Sequence, residues 1–264
     1  MNPIALASGV LPEFGALAVI DAAARAQFDM VGLWVDPAVW NSTDTQACEH
    51  ALRKAGMPVI DVEVLWYRDG EDIADHKRIL DIGARLGAAN ALCVSSRPDP
   101  ADTIGWLNEL CCHAESTGIR VALEFGIFTA VKDLAAARAI IAAVDHPLAA
   151  ILIDPIHVDR SGTQLAEIAA LDPALLPYAQ FCDAPARRPD PADFNAIITD
   201  AVDLRQQCGS GALDLLALYR ALPAEIPLSI ELRSKALRNA FLHDPVGRAC
   251  AVAQQTRRWL EQNT

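Results

Sequence analysis

The 264-residue chain reads as a single-domain α/β protein, a closed (β/α)8 barrel. Three observations predict it. Short apolar runs alternate with amphipathic stretches along the whole length, and there are eight of these runs. The runs are also nearly continuously apolar, as strands of a parallel sheet covered on both faces must be.

The strand-like runs are Ile4 to Ala7, Met30 to Val35, Val59 to Leu65, Ala91 to Val94, Val121 to Phe125, Ala150 to Ile153, Tyr178 to Cys182 and Leu228 to Leu232. Between them, Ile73 to Leu86, Asp102 to Thr117, Val131 to Val144 and Val246 to Leu260 carry apolar residues at three- and four-residue spacing, the mark of helices with one buried face. Successive strands lie one βα unit apart, except for the wider last gap. There the segment 183–207, with Pro185, Pro189 and Pro191 beside Arg187 and Arg188, is expected to be a long βα loop that covers an active site. An open doubly wound sheet also fits the alternation, but it normally carries a Gly-rich phosphate turn early in the chain, and none is present. One domain over 1–264 is the expectation.

Composition narrows the function classes. The net charge of −12 repels phosphate backbones and no run of Lys or Arg offsets it, so nucleic acid is excluded as a partner. Seven cysteines form no CxxC pair and mostly sit in apolar surroundings, which suits a reducing cytoplasm. No leader-like start and no long apolar run predict export or a membrane span. The patterns of serine hydrolases, zinc proteases and P-loop proteins (GxSxG, HExxH, GxxxxGK[ST]) are missing, and most of the six histidines fall in helical or turn segments.

In a barrel the functional groups sit at the C-terminal ends of the strands. The fifth apolar run carries Glu124, the sixth is followed by Asp154, the seventh contains Gln180 and the eighth Glu231. Three carboxylates converging on one barrel mouth must take up protons or share a cation. With the carboxamide oxygen of Gln180 they make an all-oxygen set, which favours Mg²⁺ or Mn²⁺ ahead of Co²⁺ or Zn²⁺. Arg160, Arg187 and Arg188 follow the sixth and seventh strands and are candidates to clamp a substrate carboxylate. Glu63, on the third strand, and Arg233, beyond Glu231, are candidates to face the substrate. Gly209-Ser210-Gly211 offers backbone amides to an anion.

The runs Leu123-Glu124-Phe125, Ile153-Asp154-Pro155-Ile156-His157, Ala179-Gln180-Phe181-Cys182-Asp183 and Ser229-Ile230-Glu231 together resemble the metal-site pattern of the xylose-isomerase-like TIM-barrel superfamily of sugar (phosphate) isomerases and epimerases. Most epimerase-like members place His where this chain has Gln180. Gln there resembles the hydroxypyruvate isomerase and 3-dehydroshikimate dehydratase branches and shifts the expected substrate toward carboxylated hydroxy-carbonyl compounds. The resemblance implies a divalent metal on Glu124, Asp154, Gln180 and Glu231, with Glu124 and Glu231 as acid and base and His157 as proton carrier or hydrogen-bond donor. It implies proton abstraction beside a carbonyl through an enediolate, ending in isomerisation, epimerisation or, by loss of a β-hydroxyl, dehydration. Homo-oligomers are common among such relatives.

Two rivals belong to other classes. A phosphodiesterase resembling endonuclease IV shares this barrel but needs many histidines and a basic groove, and this acidic chain has neither. A catalytically silent barrel that binds a metabolite shares everything except turnover, and metal content with solvent-deuterium uptake separates it from the enzyme.

Overall fold

The computed structural model describes residues 2–263. Eight strands run in the order of the chain: β1 (Ile4–Leu6), β2 (Met30–Trp34), β3 (Val59–Tyr67), β4 (Ala88–Ser95), β5 (Arg120–Glu124), β6 (Ala149–Leu152), β7 (Ala179–Gln180) and β8 (Leu228–Ile230). All pairings are parallel, in the spatial order β6-β5-β4-β3-β2-β1-β8-β7. A parallel bridge between Ile153 and Ala179 closes the ring, and Gln180 N donates to Ile153 O at 2.9 Å. The predicted (β/α)8 barrel is the observed one.

Each strand lies where an apolar run predicts it, with edges that differ. The seventh and eighth strands are shorter than their runs because Phe181, Cys182, Glu231 and Leu232 lie past the last ladder positions. The helix at Ile73–Leu86 matches its prediction residue for residue. Asp72 caps its first turn by accepting from Ala74 N at 2.9 Å, and Gly87 ends it at a φ of 76° that L-residues adopt only at a cost. The segment 183–207 differs from its prediction: it contains a helix at Phe194–Asp203, capped by Asp193, so only its first part is the expected loop.

Strand periodicity sorts the side chains into two cores. Ile4, Leu6, Val31, Leu33, Val121, Leu123, Ile151 and Ile153 face the helices and join the large outer core. Their neighbours Ala5, Ile60, Leu92, Val94, Ala122, Ala150, Leu152 and Tyr178 fill the barrel. Small residues leave room there for the Tyr178 ring and for Asp61, whose Oδ1 approaches Gly32 so closely that a Cβ at that position would meet it at 2.3 Å. The C-terminal helix, Pro245–Asn263, is tied to the first βα loop by the fully buried Arg248, which donates to Val10 O at 3.0 Å and pairs with Glu13. Among the described residues all seven cysteines are free, and no helix is long and apolar enough to cross a membrane.

Candidate active site

The same parity builds the site. Ala122 faces the barrel interior, so Glu124, two residues on, does too. Leu152 implies the same for Asp154, Tyr178 for Gln180, and Ser229 for Glu231. Parity thus sends all four to the inner side at the C-terminal strand ends, and none is more than 8% exposed.

Asp154 is fixed from two sides. It is the N-cap of the helix Pro155–Ser161, accepting from Ile156 N at 2.9 Å through Oδ1, with Pro155 suited to the first helical position. Its Oδ2 takes Nη1 of Arg205 at 2.5 Å. Arg205 also reaches Glu231, Nη2 to Oε2 at 3.3 Å, and donates from Nε to Ala201 O at 2.7 Å. Burial alone would favour discharging this guanidinium. Asp154 and Glu231 reverse that and hold its pKa well above the ordinary value.

Glu124 has no such partner. Burial, with Asp154 and Glu231 adding to it, pushes its pKa well above the usual carboxylate range, and its Oε1 accepts no hydrogen bond. His157 lies in the first turn of the helix capped by Asp154, its Nε2 3.9 Å from Glu124 Oε1 and its ring 4.8 Å from that of Phe128. Burial, reinforced by Arg205, drives its pKa down to about 3, so the imidazole is neutral at physiological pH. Glu63 accepts from Ser8 Oγ. Burial first, then Asp61 and Glu231, raise its pKa to about 8. Asp61, one layer deeper, is raised to about 7 by burial, against the pull of Tyr178.

These residues fit a divalent cation. Glu124 Oε1 and Gln180 Oε1 are buried oxygens without a donor, a costly state unless a cation takes their lone pairs. Ligand atoms of Glu124, Asp154 and His157 lie within 4.8 Å of one another. With Glu124 ionised, as cation binding requires, three carboxylates (Glu124, Asp154, Glu231) would stand against one guanidinium (Arg205), and the two negative charges left, three minus one, match a doubly charged ion.

Two of the three arginines expected to clamp substrate, Arg160 and Arg188, are engaged by other partners. The Arg160 side chain is buried and committed to Asp159 at 2.6 Å, Asp200 at 2.8 Å and Pro185 O at 2.8 Å. Arg188 donates from Nε and Nη2 to the two carboxylate oxygens of Asp159, at 3.0 and 2.9 Å, and Arg187, exposed, meets Arg160 through its backbone carbonyl. They bind the segment after β7 to the helix Pro155–Ser161, which corrects the clamp assignment for Arg160 and Arg188. The guanidinium at the carboxylates is Arg205, which sequence reasoning overlooked. It follows the helix Phe194–Asp203 and is carried back to the barrel by paired backbone bonds between Asp183 and Gln206, so nothing in the local sequence singles it out. Glu63 and Arg233 do face the mouth, lining one cavity with Glu231. The amides of Gly209 and Gly211 do not await an anion: Asp183 Oδ2 accepts both, at 3.1 and 2.9 Å, and Oδ1 accepts Leu213 N at 3.1 Å.

The family model for the xylose isomerase-like TIM barrel matches residues 20–262. The chain belongs to that family. No curated protein sequence matches significantly. Among solved structures, the IolI protein with a bound zinc atom is similar at 15% identity, over 100% of this chain and 99% of that one, with a TM-score of 0.84. D-allulose 3-epimerase from Methylomonas sp. is similar at 16% identity over 100% and 98%, with a TM-score of 0.71. A xylose isomerase-like TIM barrel/4-hydroxyphenylpyruvate dioxygenase fusion protein is similar at 18% identity and a TM-score of 0.81, covering 99% of this chain but 44% of the fusion. At these identities the likeness of this xylose isomerase-like barrel to them is one of fold, and the chain spans under half the length of the fusion protein.

Proposed function

We propose that this barrel is a divalent-metal-dependent enzyme that moves a proton on the carbon next to the carbonyl of a small hydroxy-carbonyl sugar or keto acid, as an isomerase or epimerase. The observation that carries the reading is the pair of donorless buried oxygens, Glu124 Oε1 and Gln180 Oε1, set among Asp154 and Glu231. Mg²⁺ and Mn²⁺ suit the oxygens of Glu124, Asp154, Gln180 and Glu231, while the imidazole of His157 beside them would add weight to Zn²⁺ if it joined the set. When bound, the ion polarises the substrate carbonyl and makes its neighbouring C–H more acidic.

The chain's own residues supply the rest. Glu124 ends β5 and Glu231 follows β8, three strands further round, so the two carboxyl groups approach a substrate from different sides. One removes the proton and the other returns it, to the same carbon in epimerisation or to its neighbour in isomerisation. Arg205 holds the Glu231 carboxylate by Oε2 and fixes its direction. His157, neutral, exchanges hydrogen bonds with a substrate oxygen without adding charge. A proton lost together with a β-hydroxyl would give a lyase, and the same carboxyl groups serve that outcome. The substrate carries no phosphate at Gly209 to Leu213, because Asp183 already saturates those amides.

The test is deuterium uptake from solvent at the α-carbon of a panel of ketoses and hydroxy-keto acids, with Mn²⁺ present. Wild type should exchange at least one compound, and Glu231→Gln should lower that rate by about 100-fold or more with an unchanged circular dichroism spectrum. Full exchange by Glu231→Gln, or no exchange of any compound with each of Mg²⁺, Mn²⁺, Co²⁺ and Zn²⁺, would overturn the reading.

A further inference from the structure

The mouth continues into a cavity of about 870 Å³ beside β1 and β2. Its inner end is polar, where Ser8, Glu63, Glu231 and Arg233 line it. Its outer part carries Phe14, Leu17, Trp34, Val39 and Trp40, with Asp36, Asn41 and Asp44 at its margin. The Trp40 ring nitrogen is already satisfied by Thr45 Oγ1 at 2.9 Å, so that indole asks nothing polar of a ligand. Leu17, Trp34 and Val39 are 49%, 50% and 73% exposed, an apolar shelf left to water in the cavity that Glu63 and Glu231 also line. Aromatic residues are only 6% of the chain, yet two of its five tryptophans stand here.

Size and polarity disagree with a substrate that is only a short hydroxy acid. Cavities of roughly 300–1,000 Å³ with mostly apolar walls and a few converging polar groups take drug-sized ligands. A bare hydroxy-carbonyl head engages the inner end and leaves the shelf uncovered. Flat indole and phenyl faces favour stacked or edge-on contact with another ring. Arg233, whose Nε is buried without a partner, adds an unused donor at the junction of the two ends.

We propose that the substrate is amphiphilic: a hydroxy-carbonyl head held among Glu231, Glu63 and Arg233, joined to an apolar, ring-bearing arm that lies along Phe14, Leu17, Trp34, Val39 and Trp40. The cavity that holds the shelf also takes in Glu231, one of the two proposed catalytic carboxylates, which is why its occupant is the far end of the substrate and not a separate ligand. This inference rests on the proposed function, and its test keeps the two apart.

Two probes share one head: hydroxyacetone, and 1-hydroxy-3-phenylpropan-2-one, which adds the ring. Binding of each to the Mn²⁺-loaded protein is measured by calorimetry, and deuterium uptake is measured in the same samples. The phenyl compound should bind about tenfold tighter or more, roughly 1.4 kcal/mol. Trp34→Ala should cut that ratio about threefold or more. Leu242→Ser, 55% exposed and outside the cavity, should leave the ratio unchanged. Equal affinities, no binding of the phenyl compound, or a ratio insensitive to Trp34→Ala would each overturn the inference. So would a Trp34→Ala variant that changes only the sedimentation coefficient, since the shelf would then be covered by a second copy of the chain. A ratio that holds while neither probe exchanges supports the arm site and counts against the proton-transfer reading. Glu231-dependent exchange with equal affinities does the reverse.

Discussion

Arg205 Nη1 lies 2.5 Å from Asp154 Oδ2, with the two side chains 3% and 0% exposed, so the charge at the centre of the mouth is balanced by a residue 51 positions away in sequence. Removing one partner of such a pair strands the other. Arg205→Met should lower the unfolding free energy of metal-free protein by about 3–5 kcal/mol in urea titrations. Saturating Mn²⁺ should recover part of this, since a cation can take over the balancing charge. An Arg205→Met protein as stable as wild type without metal would show that the pair has no such role.

Gln180 Oε1 has no donor, and Gln180→Ala deletes it without opening a charged vacancy. Mn²⁺ affinity, followed by electron paramagnetic resonance, should fall about tenfold or more while the far-ultraviolet dichroism stays the same. Gln180→His should move the preference from Mn²⁺ toward Zn²⁺, because an imidazole suits the softer ion. Identical metal affinities in all three proteins would remove Gln180 from the ligand set.

Asp183 accepts four backbone amides, those of Ala184, Gly209, Gly211 and Leu213. Asp183→Ala should destabilise the protein by about 2 kcal/mol, since four backbone donors, three of them part-buried, lose a charged acceptor. Amide exchange should accelerate first between residues 209 and 213, and unaltered protection there would contradict the assignment.

Glu63 rises from an ordinary 4.5 to about 8 in the folded protein. Between those values the unfolded chain has released the proton that the folded one keeps, so stability falls as pH rises across that window. Asp61, raised from 3.8 to about 7, acts with the same sign over its own window. His157, lowered from 6.5 to about 3, acts oppositely but only below 6.5. From pH 6.5 to 9 metal-free wild type should therefore lose thermal stability, and Glu63→Gln should lose less. Parallel curves for the two proteins would mean that Glu63 ionises as readily folded as unfolded.

The barrel and the placing of four strand-end oxygen-bearing residues on one side of it were legible in the sequence because both follow from short-range pattern. Apolar runs mark the strands, and two-residue parity carries Glu124, Asp154, Gln180 and Glu231 to one side. The arginines were not legible. Arg160 and Arg188 lie close in sequence to strand ends, but Asp159 and Asp200 capture them. Arg205 lies far from any strand in sequence and reaches the site through long-range pairing of Asp183 with Gln206. The helix Phe194–Asp203 was hidden by the prolines before it, which read correctly as a loop but concealed where the loop ends.

Strands β3 and β4 share six paired positions, whereas β6 and β7 meet among the described residues at one bridge, Ile153 with Ala179. Asp154 and Gln180 stand one residue past that stitch, one on either margin. Whatever grips both of them works as a clasp on the thinnest seam of the hoop. On the proposed metal reading, an ion held by both residues would therefore act mechanically as well as chemically, fastening the cylinder at its least-paired seam.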